Sequence, residues 1–222
     1  MQEKKVINIL LVDDHHMILE GYKNVLSKIK SSDFTLNVET SDNCDKAWEI
    51  VNEKRVDIIF LDINFPISDN NKILSGEDLG IKIKKQLPEI KIIILTVLGD
   101  PFRLHNILLN TNPDGFLLKG ETTSEELNRC LSKVIANPPY YGSKISKMLH
   151  SEVKHNNSLI DEVDRIMLYQ LSLGTKTKDL TKFVHLSLRA VEDRKRKLKE
   201  IFGVSGEGNK ALLEKARESG YI

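Results

Sequence analysis

The chain has 222 residues, 40% of them apolar and 29% charged, enough to bury one large core or two smaller ones, and this balance excludes wholesale disorder. The formal net charge of +1 predicts no partner by itself. Cys44 and Cys130, the two cysteines, stand far apart and without metal-ligand spacing, which fits reduced thiols in a cytoplasmic protein.

The first residues, Met1 to Lys5, lead into an apolar run too short for a signal sequence, and no run approaches membrane length. A soluble, unexported protein is expected.

Short apolar runs then alternate with segments of helical period. The runs are Val6 to Val12, Phe34 to Val38 (the weakest), Val56 to Leu61, Ile90 to Leu95 and Gly115 to Leu118. Between and after them lie His16 to Lys30, Asn43 to Lys54, Gly76 to Leu87, Pro101 to Asn110 and Thr123 to Ala136. Five strands each followed by a helix predict an α/β fold, a five-stranded doubly wound parallel sheet covered on both faces. Asn137-Pro138-Pro139 breaks the last of these helices, so 137–157 is read as a linker with a short helix over Ile145 to Leu149. The remainder, 158–222, reads as a small all-α domain of four helices: Ser158 to Ser172, Lys176 to Phe183, Ser187 to Phe202 and Glu207 to Glu218. Gly174 closes the first and Ser187 caps the third.

In a parallel sheet the ligand site lies beyond the carboxyl ends of the strands. The residues there are Asp13 and Asp14, Asp62, Thr96 and Lys119. Each alone is commonplace as a cap, a strand end or a solvated charge, but independent caps have no reason to converge on one edge. Clustered carboxylates repel unless a cation sits among them, and a hard divalent ion, Mg²⁺ above all, accepts oxygen ligands. Lys119 would then pair with phosphoryl oxygens, Thr96 would donate to one, and Asp62 would be the nucleophile that forms an aspartyl phosphate.

The ordered set Leu10-Leu11-Val12-Asp13-Asp14-His15, Phe60-Leu61-Asp62-Ile63-Asn64-Phe65-Pro66, Leu95-Thr96 and Gly115-Phe116-Leu117-Leu118-Lys119 resembles the receiver domain of two-component response regulators, a flavodoxin-like fold. The resemblance implies a receiver over 1–136, phosphoryl transfer from a histidine kinase to Asp62, and Mg²⁺ held by Asp13, Asp14, Asp62 and the backbone carbonyl of Asn64. It also implies a switch pair, Thr96 and Phe116, that reorients after phosphorylation. Two departures stand out: the loop Ile67 to Ser75 is enlarged, and Val97 follows the threonine where many relatives carry a smaller residue.

The 158–222 segment is only mildly basic, with 13 Lys and Arg against 10 Asp and Glu, but within Ser187 to Phe202 the balance is six to three, which leaves a local stripe for phosphates. Gly174, Lys178-Asp179-Leu180, Val184, Leu186-Ser187, Val191, Leu198 and Gly203-Val204 resemble a LuxR-type helix-turn-helix, and joined to a receiver this pairing resembles the NarL/FixJ class. That resemblance implies a transcriptional regulator rather than an enzyme, a homodimer when phosphorylated, and a recognition helix in the major groove of double-stranded DNA. The candidate contacts are Lys176, Lys178, Arg189, Glu192, Asp193, Lys195, Arg196, Lys197 and Lys199, with Arg196 first as a base reader and Lys195, Lys197 and Lys199 on phosphates. Ala190, Glu192 and Arg194 depart from the usual threonine, lysine and histidine, so family base preferences do not transfer. Glu192 and Asp193 either accept from cytosine or pair within the helix. Two other functions remain: an aspartyl-phosphate phosphotransferase, and a regulator whose C-terminal helices bind protein.

Overall fold

The computed structural model describes residues 4–64, 73–97, 100–152 and 159–222. The end of the third-strand motif, Phe65-Pro66, most of the enlarged loop (67–72) and Ser158, the expected start of a helix, lie outside the described residues.

The chain divides into two compact units, Met1–Ser151 and Glu152–Ile222. The first is built on β1 (Lys5–Val12), β2 (Phe34–Ser41), β3 (Ile58–Asp62), β4 (Lys91–Thr96), β5 (Gly115–Leu118) and β6 (Tyr140–Tyr141), all parallel in the order β2-β1-β3-β4-β5-β6. Alternate residues of each strand point to opposite faces. Leu10, Ile59, Leu61, Ile92, Ile94 and Phe116 pack under α2 (Cys44–Glu53), α3 (Gly76–Gln86) and α4 (Pro101–Thr111). Ile9, Leu11, Phe60, Ile93, Leu95 and Leu117 pack under α1 (His16–Ser27) and α5 (Ser124–Ala136). Burial on both faces is why β3, β4 and β5 read as unbroken apolar runs. Asn43, Ser75, Asp100 and Thr123 start their helices by accepting a hydrogen bond from a backbone N–H of the first turn.

The sheet has six strands among the described residues, not the five expected. Tyr140 N–H donates to the Asp114 carbonyl and Gly142 N–H to that of Phe116, both at 2.9 Å, so the open edge of β5 is paired. Two residues behind a pair of prolines are too short to show a period of two. The next helix, α6 (Ser143–Glu152), exceeds the short one expected inside the linker, and Ile145, Met148 and Leu149 pack against the layer that holds Phe116. The stretch read as linker thus contributes a strand and a helix to the first unit, and the division between units falls inside it.

The second unit holds α7 (Glu162–Ser172), a 3₁₀ turn at Thr177–Asp179, α8 (Thr181–Val184), α9 (Leu188–Ile201) and α10 (Asn209–Glu218) around Met167, Leu168, Leu171, Leu180, Val191, Leu198 and Leu212. α7 begins later than expected because Asp161 and Asp164 form a reciprocal capping box. The expected second helix is split into the turn and the single-turn α8. Gly174 adopts φ +83°, the left-handed conformation that lets Thr175 N–H reach back to the Gln170 carbonyl and end α7. Ser187 caps α9 as expected, through Ala190 N–H. Helical spacing sets Leu188, Val191 and Leu198 on one stripe of α9, but only Val191 and Leu198 are buried, and Leu188 is 43% exposed.

Candidate functional site

In the sheet order β2-β1-β3-β4-β5-β6, β1 neighbours both β2 and β3, and the connections run outward on either side of it. Asp13 follows β1 and Asp62 ends β3, so the strand reversal brings both carboxylates to one crevice. Each is almost fully buried. Lys119, in the turn after β5, places its ammonium 2.5 Å from Asp13 Oδ2 and 2.7 Å from Asp62 Oδ2. The other oxygen of Asp62 accepts from Asn64 N–H at 3.2 Å, and that of Asp13 accepts from His15 N–H at 3.0 Å. Burial holds the Asp62 carboxyl above the usual carboxylate range, and the Lys119 and Asn64 donors oppose that rise without cancelling it. The carboxyl of Asp62 is thus buried with one cation beside it.

Thr96 ends β4 fully buried, and its register partner Leu118 immediately precedes Lys119. Phe116 is enclosed beside β4, opposite Ile94. Val97 is 64% exposed. All five chemistry-bearing residues expected from the sequence thus stand at one end of the sheet.

Two residues were missed. His15 lies with Nδ1 2.6 Å from Asp14 Oδ1 and 3.2 Å from Asp13 Oδ1; its only signal was its place directly after the aspartate pair. Tyr22 of α1 has its phenol pushed up to about 12 by burial, with the charges of Asp13 and Asp62 adding to the rise. No local pattern marks it. Cys44 and Cys130 are free and buried, and burial lifts both thiols to about 12, which keeps them protonated.

The donor set fits a hard divalent cation. Single ligand atoms from Asp13, Asp14, His15 and Asp62 lie within 4.8 Å of one another, and Asp14 Oδ1 is buried without an aligned hydrogen bond. Three carboxylates, one of them with a buried oxygen whose near neighbour is the His15 ring rather than an aligned donor, suit an ion that prefers oxygen.

The enlarged loop returns to the described structure at Ile73, which is buried in the core, and at Ser75, the cap of α3. A side chain on Gly76 would place its Cβ 1.8 Å from the Asp62 carbonyl oxygen. Only glycine lets α3 start against the backbone of Asp62.

In the second unit Lys176, Lys178, Arg189, Glu192, Asp193, Arg196 and Lys197 are exposed, and Lys195 and Lys199 are half-buried. Lys195 donates to Thr177 Oγ1 at 2.7 Å and Lys199 to the Glu207 carbonyl, so both already hold neighbouring segments. Arg196 pairs with Asp193 at 2.7 Å within the helix. Arg194 faces inward on Asp161 and Asp164 at 2.8 and 2.9 Å, tying α9 to the start of α7, a role that its place in the sequence did not show.

The family model of the response regulator receiver domain matches residues 9–131, and the chain belongs to that family. Its likeness to known regulators continues through the second unit. The transcriptional regulatory protein DegU of Brevibacillus brevis is 25% identical over 183 residues, covering 82% of this chain and 70% of DegU. The oxygen regulatory protein NreC of Staphylococcus haemolyticus (strain JCSC1435) is 24% identical over 200 residues, covering 85% and 88%. RcsB from Salmonella enterica serovar Typhimurium, solved bound to promoter rprA with the phosphomimetic BeF3⁻, covers 95% of this chain with a TM-score of 0.69 at 20% identity, a likeness of fold alone. Among the described residues no helix is long and apolar enough to cross a membrane.

Proposed function

We propose that the chain is a DNA-binding transcriptional response regulator of the NarL/FixJ class, switched by transfer of a phosphoryl group from a histidine kinase to Asp62. The observation that carries this is the buried Asp13–Lys119–Asp62 bridge at the strand reversal. A carboxylate oxygen of Asp62 attacks phosphorus as the bond to the donor nitrogen breaks, and the product is an acyl phosphate. Lys119 turns from the carboxylates to the new phosphoryl oxygens, and the Thr96 hydroxyl donates to one of them. Asp13, Asp14, Asp62 and the Asn64 carbonyl would hold Mg²⁺, which when bound neutralises phosphoryl charge. Phe116 is the packing partner through which a turn of Thr96 is felt at β5, a shift between two packings.

Output is assigned to 158–222, with α9 entering the major groove and a homodimer presenting two such helices about one DNA turn apart, roughly 34 Å. RcsB is named in complex with DNA, and DegU by transcriptional regulation, which supports this half. The exposed Arg189, Arg196 and Lys197 offer the basic stripe, with Lys176 and Lys178 at the preceding turn. Titration of the full chain with duplex DNA across a salt series, with and without BeF3⁻, tests it. Affinity should fall steeply with salt and rise with BeF3⁻; a chain indifferent to duplex DNA in both states would instead make the C-terminal helices a protein-binding unit.

A further inference from the structure

Away from the acidic crevice, the first unit buries a second charge cluster. Glu77, in the first turn of α3, is 0% exposed and Arg103, in the first turn of α4, is 1% exposed. Arg103 Nη1 lies 2.6 Å from Glu77 Oε2, paired by charge and distance rather than by an aligned hydrogen bond. Asn110, two turns beyond Arg103 on the same helix face, donates to Glu77 Oε1 at 2.7 Å. Taking both charges out of water costs more than their attraction usually returns, and well-packed apolar side chains of similar volume hold two helices together as well or better. Packing alone therefore does not account for this pair.

Its location suggests what does. Glu77 directly follows Gly76, whose N–H donates to the Ile63 carbonyl at 3.1 Å and whose missing side chain lets α3 rest on the backbone of Asp62. One turn on, a Cβ at Gly80 would meet Leu61 of β3 at 3.3 Å and Thr111 of α4 at 3.6 Å. Thus α3 touches the strand of the phosphoacceptor on one side and α4 on the other, and the charge pair sits at the end nearest Asp62. We propose that Glu77 and Arg103 are positioning residues that fasten α4 to α3, so that the effect of a phosphoryl group on Asp62 reaches α4 through α3 as well as through Thr96. The pair is directional where apolar contacts are not: with Asn110 it holds Glu77 at both ends of α4, so displacement of one helix is imposed on the other. This rests on the reading of Asp62 as phosphoacceptor.

Hydrogen exchange of the full chain with and without BeF3⁻ and Mg²⁺ tests it, in wild type, in Glu77→Gln and in the double variant Glu77→Leu/Arg103→Leu. In wild type both the segment around Asp62 and α4 should change protection, α4 by about fivefold or more, the lower end of usual coupling between sites. In the variants the Asp62 segment should still respond while the α4 response falls below half. A merely structural role would lower protection in both states and leave the BeF3⁻ dependence of α4 intact, and that result overturns the proposal. Glu77→Gln keeps the volume and the Asn110 bond, so it decides alone if the double variant does not fold. A wild-type chain whose Asp62 segment ignores BeF3⁻ overturns the phosphoacceptor reading, and the proposal with it.

Discussion

Glu77 and Arg103 are opposite charges buried together in the first unit, and both have left water to pair. Removing Glu77 takes away the carboxylate that lies 2.6 Å from a buried guanidinium, so Glu77→Ala should cost about 3–5 kcal/mol, whereas the double leucine variant should regain most of that loss. Urea unfolding followed by Trp48, the single tryptophan, reads this directly. Arg196 is the opposite case. Its pair with Asp193 is well exposed and weakly held, so it is free to exchange for a base edge. Arg196→Ala should weaken specific DNA binding far more than nonspecific binding, and equal loss on both in a competition titration would demote it to a phosphate contact. At this scale legibility followed position within an element. Asp13, Asp14, Asp62, Thr96 and Lys119 could be found because each ends an apolar run. Glu77, Arg103 and Arg194 could not, because they lie inside helices, where no strand end marks them and only folding shows their partners.

β6 and α6 show the same limit among elements. The prolines at 138 and 139 announce a helix end but carry no signal for a strand, and β6 is defined only by the β5 edge it meets. Helix starts were legible where a lone Ser or Thr stood before the periodic residues, as at Ser187, and were misplaced at α7, where the cap is an aspartate inside an acidic cluster. The consequence for 137–157 is testable. A free linker would tolerate truncation of its apolar residues, but Ile145 is buried beside the layer that contains Phe116, so Ile145→Ala should cost about 2–5 kcal/mol in the Trp48-monitored transition. A loss near zero would return α6 to the linker. Because Gly142 N–H bonds the Phe116 carbonyl, the segment leading into α6 is tied to β5 at Phe116.

Across the whole molecule, the parallel sheet and the helical C-terminal unit were legible because both faces of β3, β4 and β5 are buried and because turn residues separate every element. The same burial sets the chemistry: it raises the Asp62 carboxyl, draws Lys119 into the crevice and leaves an oxygen of Asp14 without an aligned donor. The arrangement gathers negative charge that a cation would relieve, and a phosphoryl group would add to that charge, so uptake should need the cation. Intact mass after incubation with acetyl phosphate and Mg²⁺, beside Asp62→Ala and a metal-free sample, tests this most directly. A single phosphoryl adduct that needs both Asp62 and the metal is the predicted result; an adduct that persists in Asp62→Ala, or that forms equally without metal, would contradict it.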